Sequence, residues 1–292
     1  MSLRGIIQSL RPQQWTKNFF IFAPLIFSEN ISNMNMLLKT GAAFGLFCMI
    51  SRAGYILNDL RDLEEDKLHP LKSRRPLASG RVKKSQAFIF LVLISCLSMT
   101  LSLFLNLEFF LLLTSYFILQ IFYSFWLKNV VILDVFIVAA GFFLRVLAGG
   151  LVIGVYVSPW ILICTLLLAL FLALSKRRHE LLLLDTEAKN HRPILGEYSP
   201  YLLDQMIAVV TASTVISYCL YTISTETITK FGTKNLIFTV PFVLYGVFRY
   251  LYLIHQKAEG GTPEMLIIKD KPLLISIFLW ILTASSIIYF KV

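Results

Sequence analysis

The 292-residue chain is 57% hydrophobic and only 15% charged, with a mean hydropathy of +0.73 and a formal net charge of +10. That composition lies outside the range of soluble domains, so the chain reads as an integral membrane protein. The positive balance is the kind that basic inner loops leave on such a protein, and no nucleic acid partner is expected.

In chain order, Met1–Arg11 is short and mildly amphipathic, lacks the small-residue cleavage site of a secretory leader, and is expected along the inner membrane surface. A first span, Trp15–Phe27, is short. Leu38–Leu57 follows, interrupted by Arg52, then the uncharged stretches Ser85–Leu107 and Phe109–Leu127. Val131–Val152 holds Arg145; bundles tolerate such a charge where it faces the interior. Val146–Ser175 is too long for one crossing, and Gly154 with Pro159 divides it into the end of one span, a turn and a complete second span. Gln205–Thr225, Asn235–His255 with Pro241 and Arg249, and Pro272–Phe290 complete nine predicted helices. No internal repeat or soluble domain interrupts them, so residues 1–292 are expected to form a single, all-α membrane domain.

Charge tests the count. With the N-terminus inside and nine spans, the inner segments collect 21 of the 27 Lys and Arg residues, the outer segments four, and Arg52 and Arg145 lie within spans. Dropping or adding one helix scrambles the asymmetry, so an odd number of spans is expected. Cys48, Cys96, Cys164 and Cys219 fall in four different spans without metal-ligand spacing, and read as small packing residues.

The chemistry concentrates in GYILNDLRDLEEDKLHPLKSRRP, residues 54–76. Asn58, Asp62 and Asp66 stand i, i+4, i+8 and stack on one helical face, with Asp59 one step around. Stacked carboxylates repel, so a cation belongs among them, and oxygen ligands beside a phosphate substrate suit Mg²⁺. Lys72, Arg74 and Arg75 follow, which supply the cationic forks that a metal-bound diphosphate needs. The plain alternative is a solvated basic loop with acidic partners, which does not explain the four-residue spacing at a helix end.

Three other inner-side clusters fit the same picture. Arg11-Pro-Gln-Gln-Trp15-Thr-Lys17-Asn18 precedes the first span, where Trp15 also suits an interfacial anchor. Tyr123-Ser-Phe-Trp-Leu-Lys128 is followed by Asp134 and Arg145; Arg145 lies three turns into its helix and needs a polar cavity or a carboxylate, for which Asp134 is the candidate. Lys176, Arg177 and Glu180 close the sixth span, with Lys176 and Glu180 on one face and Asp185 beyond. Arg249, Lys269, Asp270 and Lys271 are weaker inner-surface candidates.

On these residues the chain resembles the UbiA-type polyprenyltransferase superfamily, whose fold is nine transmembrane helices around a central cavity opening to the cytoplasmic side. Asn58-Asp59-x-x-Asp62-x-x-x-Asp66 is similar to the family's first Asp-rich motif and Tyr123…Lys128 to its Tyr-Lys motif. The second Asp-rich motif is absent, and Lys176-Arg177-x-x-Glu180 stands in its place. That departure, with the string at 11–18, His69-Pro70-x-Lys72-x-x-Arg75-Pro76 and Gly141-Phe-x-x-Arg145-x-x-Ala-Gly149, resembles the decaprenyl-phosphate phosphoribosyltransferase branch.

The resemblance implies an inner-membrane enzyme with its N-terminus and active site on the cytoplasmic side. It would transfer 5-phosphoribosyl from phosphoribosyl pyrophosphate to a polyprenyl phosphate with Mg²⁺. Asn58, Asp59, Asp62, Asp66 and Glu180 would hold the metal. Lys72, Arg75, Tyr123 and Lys128 would grip the donor's phosphates. Lys17, Arg145, Lys176 and Arg177 would neutralise the remaining charge of donor and lipid. Asp62, Asp66, Tyr123 and Lys128 are the expected catalytic group. A prenyl transfer from a polyprenyl diphosphate remains the alternative, because both reactions break a carbon–diphosphate bond. A transporter fits less well, since the polar residues gather at the inner end rather than at midplane. Self-association into a homo-oligomer through lipid-facing surfaces stays open.

Overall fold

The computed structural model describes residues 12–68, 72–184, 193–257, 261 and 263–291. Among them every regular element is helical, and eight helices are long and apolar enough to cross a membrane. By internal contacts the chain divides into two compact units, one ending at Val157 and the other beginning at Ser158.

The first unit opens with a 3-10 segment, Pro12–Phe22, that runs directly into α1 (Ala23–Phe27). This is the expected first span, and it is not a long α-helix, so eight helices rather than nine meet the length of a crossing. The winding has a readable cause in the side chains. A 3-10 helix aligns residues three apart, and Asn18, Ile21 and Pro24 form one edge that is buried throughout. Then come α2 (Met34–Arg61), α3 (Leu63–Leu68), α4 (Lys84–Leu105), α5 (Leu107–Phe125) and α6 (Leu133–Ile153). Asn33 caps α2 by accepting from the Asn35 and Met36 amides. Asn106 caps α5 and also donates to the Leu151 carbonyl on α6. The core is a contiguous cluster that includes Phe47, Ile50, Phe109, Leu113, Tyr116 and Ala148. Arg52, inside α2, is 2% exposed and faces the protein interior as an intramembrane charge should.

The division expected within Val146–Ser175 is present: α6 stops at Ile153 against Gly154, whose φ of +66° gives the left-handed cap. The second unit starts with α7 (Pro159–Leu184) and continues through α8 (Pro200–Ile223), α9 (Thr225–Phe231), α10 (Val240–Gln256), α11 (Pro263–Lys269) and α12 (Lys271–Phe290). At one end of this unit Arg178 pairs with Asp204 at 2.5 Å and donates to the Ile254 carbonyl, tying α7 to α8 and α10. Arg249 reaches Asp270 with two bonds, of 3.1 and 2.8 Å. Asp270 in turn caps α12 through the Leu273 amide. Of the four cysteines, only Cys48 is buried as a packing residue should be; Cys96 is exposed, contrary to the sequence reading.

Candidate active site

The acidic face is built by a helix that scarcely breaks. α2 ends at Arg61, yet the Asp62 amide still donates to the Asn58 carbonyl (2.9 Å) and the Asp66 amide to the Asp62 carbonyl (2.8 Å). The four-residue stacking of Asn58, Asp62 and Asp66 therefore survives the change from α2 to α3. Leu63, 4% exposed, anchors this corner against Ile56, Leu77, Ala87 and Leu91. The Asn58 amide donates to Asp62 Oδ2 at 2.9 Å.

A cation does sit among these acids, and it comes from the protein. Arg75 Nη1 lies 2.9 Å from Asp59 Oδ1 and 2.5 Å from Asp66 Oδ2, so two carboxylates converge on one nitrogen. Lys128 Nζ pairs with Asp62 Oδ1. The basic loop is folded to make this reach: a 3-10 turn at Lys72–Arg74 is followed by bonds from the Arg75 amide to the Lys72 carbonyl and from Arg81 to the Arg74 carbonyl. Burial pushes the Asp66 carboxyl above the usual carboxylate range, and the Arg75 charge opposes that rise without cancelling it.

Could the same oxygens hold Mg²⁺? They are hard ligands of the right kind, and Asp59 and Asp66 already aim at a common point. Among the described residues, however, no three His, Cys, Asp or Glu side chains are assembled as a metal cage. The residues fit the ion once Arg75 and Lys128 turn away, and a diphosphate offers both cations new acceptors.

Lys128 is presented by a strained connection. After the 3-10 turn Leu127–Asn129, the Leu133 amide donates to the Val131 carbonyl across Ile132, at 2.8 Å. Ile132 has φ +70° and ψ −44°, which makes Val131–Leu133 a γ-turn of the uncommon, positive-φ kind. For a β-branched residue this costs about 1–3 kcal/mol.

Arg145 is 4% exposed on α6, and its need for partners is met differently from expectation. Its Nε donates to Asn18 Oδ1 at 2.6 Å, and its Nη2 to Tyr116 Oη at 2.9 Å and Ser51 Oγ at 3.3 Å. The rings of Phe47, Tyr116 and Phe142 surround the guanidinium at 5.0–5.5 Å. Among the described residues all its hydrogen-bond partners are neutral, and Asp134, 11 positions earlier, is not one of them. Desolvated ring faces contribute about 2 kcal/mol each, enough for a delocalised cation to dispense with a carboxylate.

The other expected site residues divide between the units. Lys17 is half-buried on the 3-10 segment, Lys72 half-buried in the basic loop, and Tyr123 half-buried near the end of α5. In the second unit, Arg177 is 5% exposed and bonds Glu180 at 2.5 Å, while Lys176 stands 3.9 Å from the same carboxylate. Arg11, His69, Pro70 and Asp185 lie outside the described residues. Sequence reasoning missed Asn18, Ser51 and Tyr116 as partners of Arg145. A signal was present, since Ser51 and Asn58, like Tyr116 and Tyr123, are seven apart and share a helical face.

The description "UbiA prenyltransferase family" matches this chain over residues 19–259. The chain belongs to the UbiA prenyltransferase family. Within it, the chain is similar to the decaprenyl-phosphate phosphoribosyltransferase of Corynebacterium glutamicum, at 31% identity over 98% of this chain and 87% of that protein. It is similar also to the enzyme of that name from Mycolicibacterium smegmatis, at 30% identity over 98% and 93%. A UbiA homologue from Archaeoglobus fulgidus, solved bound to GPP and Mg²⁺, superposes with a TM-score of 0.72 over 98% of this chain and 99% of that one. At 20% identity that likeness speaks for the UbiA fold.

Proposed function

We propose that the chain transfers the 5-phosphoribosyl group from phosphoribosyl pyrophosphate to a polyprenyl phosphate of decaprenyl type, releasing pyrophosphate. The observation that carries this reading is similarity over nearly the whole chain to two enzymes bearing that activity in their names. The bond from the ribose anomeric carbon to pyrophosphate breaks, with its electron pair leaving on the pyrophosphate. An oxygen of the lipid phosphate bonds to that carbon. The lipid phosphate is already anionic near neutral pH, so the step needs no general base.

Mg²⁺, when bound, would supply charge neutralisation for the leaving pyrophosphate. Asn58, Asp59, Asp62 and Asp66 are the proposed ligands, with Glu180 assisting. Arg75 and Lys128, released from the carboxylates, turn to the phosphate oxygens, helped by Tyr123 and Lys72. Lys17, Lys176 and Arg177 neutralise the second anion. The cation asymmetry supports placing the N-terminus and active site on the cytoplasmic side of the inner membrane.

The test uses purified protein, Mg²⁺, radiolabelled phosphoribosyl pyrophosphate and decaprenyl phosphate. Label in the lipid fraction supports the proposal. No label, together with turnover of a polyprenyl diphosphate, would favour prenyl transfer instead. Asp62→Asn should abolish Mg²⁺-dependent transfer in a folded protein, and full activity in that variant would sink the metal assignment.

A further inference from the structure

We infer that Arg145 is a positioning residue that fastens the parts of the active site to one another, and that it does not bind phosphate. The inference rests on the phosphoribosyl-transfer reading only for its turnover assay.

Three elements of the first unit carry proposed site residues: the 3-10 segment with Lys17, α2 with the acids, and α5 leading through Tyr123 to Lys128. Arg145, on a fourth element, touches all three through Asn18, Ser51 and Tyr116. Asn18, 2% exposed, extends the link by donating to Cys48 Sγ on α2 at 3.0 Å. The depth of these contacts is uniform. Ser51 precedes Asn58 by seven residues and Tyr116 precedes Tyr123 by seven, two helical turns in each case. The guanidinium therefore lies about 10 Å deeper than Asn58 and Tyr123, and deeper still below Asp62 and Asp66.

Two features set it apart from a phosphate ligand. It is 4% exposed, with Nε and Nη2 engaged by protein groups and aromatic rings around it. Gly141, one turn earlier, leaves room for the side chain: a Cβ there would stand 3.1 Å from Arg145 Nη1. Lysine cannot imitate the fork, since one ammonium would have to replace a planar group that bridges three partners.

The experiment compares full-length wild type, Arg145→Lys, Asn18→Asp and the double variant in lipid nanodiscs. It reads Tm, kcat, the KM of each substrate, and calorimetric affinity for Mg²⁺ with inorganic pyrophosphate. Arg145→Lys is expected to lower Tm and to lower kcat about tenfold or more, while both KM values and pyrophosphate affinity stay within about threefold. Asn18→Asp, which offers the same cation a carboxylate but gives up the amide donor to Cys48, should keep KM at wild-type levels, and in the Arg145→Lys background it should restore Tm and kcat in part.

A selective rise of about tenfold in one KM for Arg145→Lys with kcat unchanged would overturn the inference, because that is the mark of lost ligand binding. So would a comparable rise in KM for Asn18→Asp, since a phosphate-binding arginine is neutralised by a new carboxylate. Should Arg145→Lys fail to fold, Asn18→Asp alone decides by its KM values. Should wild type neither transfer ribosyl nor bind pyrophosphate, the functional reading falls, and Tm still judges the fastening: an Arg145→Lys protein as stable as wild type would refute it.

Discussion

Replacing Gly149 by alanine puts a methyl group where α6 meets the 3-10 segment. A Cβ at Gly149 would stand 2.0 Å from the Ile21 carbonyl oxygen, 2.9 Å from its carbon and 3.2 Å from its Cα. All three are backbone atoms, so no side chain can swing aside, and the segment must retreat by about 1 Å or more to restore van der Waals contact. Overpacking of this kind costs about 1–3 kcal/mol, and alanine's better helix propensity returns about 1 kcal/mol of it. The retreat also strains the 2.6 Å bond between Asn18 and Arg145, one turn away, and carries Lys17 with it. A displacement near 1 Å at a binding group can cost about a hundredfold in rate. Thermal unfolding in detergent and the ribosyl-transfer assay are the measurements, and Gly41→Ala is the control, since a Cβ there meets nothing within 4 Å. The expected result is a lower Tm and a disproportionate loss of activity for Gly149→Ala, with Gly41→Ala neutral or stabilising. Wild-type Tm and activity in Gly149→Ala would show that the segment does not seat on this glycine.

Arg75→Gln removes the cation shared by Asp59 and Asp66, so Mg²⁺ titration of the substrate-free protein should give tighter binding while transfer activity falls; unchanged Mg²⁺ affinity would argue against the exchange of counter-ions. Ile132→Gly relieves the positive φ at a cost of about 1 kcal/mol in chain entropy, so Tm should hold or rise. A loss above about 2 kcal/mol would mean that the γ-turn is not strained. The Arg249 hydrogen bonds hold the Asp270 carboxyl below the usual carboxylate range. A folded pKa below the unfolded value gives stability that is present above about pH 3.9 and lost as pH falls through the folded value. Asp270→Asn should therefore unfold earlier than wild type by a constant margin between about pH 6 and 8, and the margin should close in stronger acid; a margin independent of pH would refute the assignment.

Hydrophobic runs, the Gly154 and Pro159 signals and the four-residue spacing of the acids were enough to read the long helices, the break at Gly154 and the acidic face, because each is a local pattern. What the sequence hid depends on contacts between distant segments. Asn18 closes a string that looked like an interfacial anchor, and only its packing against Cys48 and Arg145, 30 and 127 residues away, gives it a role. Arg145, as a buried charge, was expected to need a polar cavity or a carboxylate, with Asp134 as the candidate; three rings and three neutral oxygens surround it instead. Asp270 read as one charge among several at the surface, whereas it caps α12 and binds Arg249 at once. The acids were expected to gather around a metal, and the apposition of Arg75 and Lys128 as their present counter-ions is a matter of loop folding that spacing cannot reveal.

The 3-10 winding of the first segment also changes what its length means. It comprises 11 residues as 3-10 helix and five as α-helix, with Phe22 at their junction still helical at φ −79° and ψ −13°. As a plain α-helix the same stretch would rise about 24 Å and fall short of a bilayer's hydrocarbon layer. Tighter coiling advances each residue about 2.0 Å instead of 1.5 Å, which brings the contour to roughly 30 Å, the thickness of that layer. Measured in ångströms rather than in residues, the segment's contour comes near that thickness, although it is not among the eight helices long and apolar enough to cross.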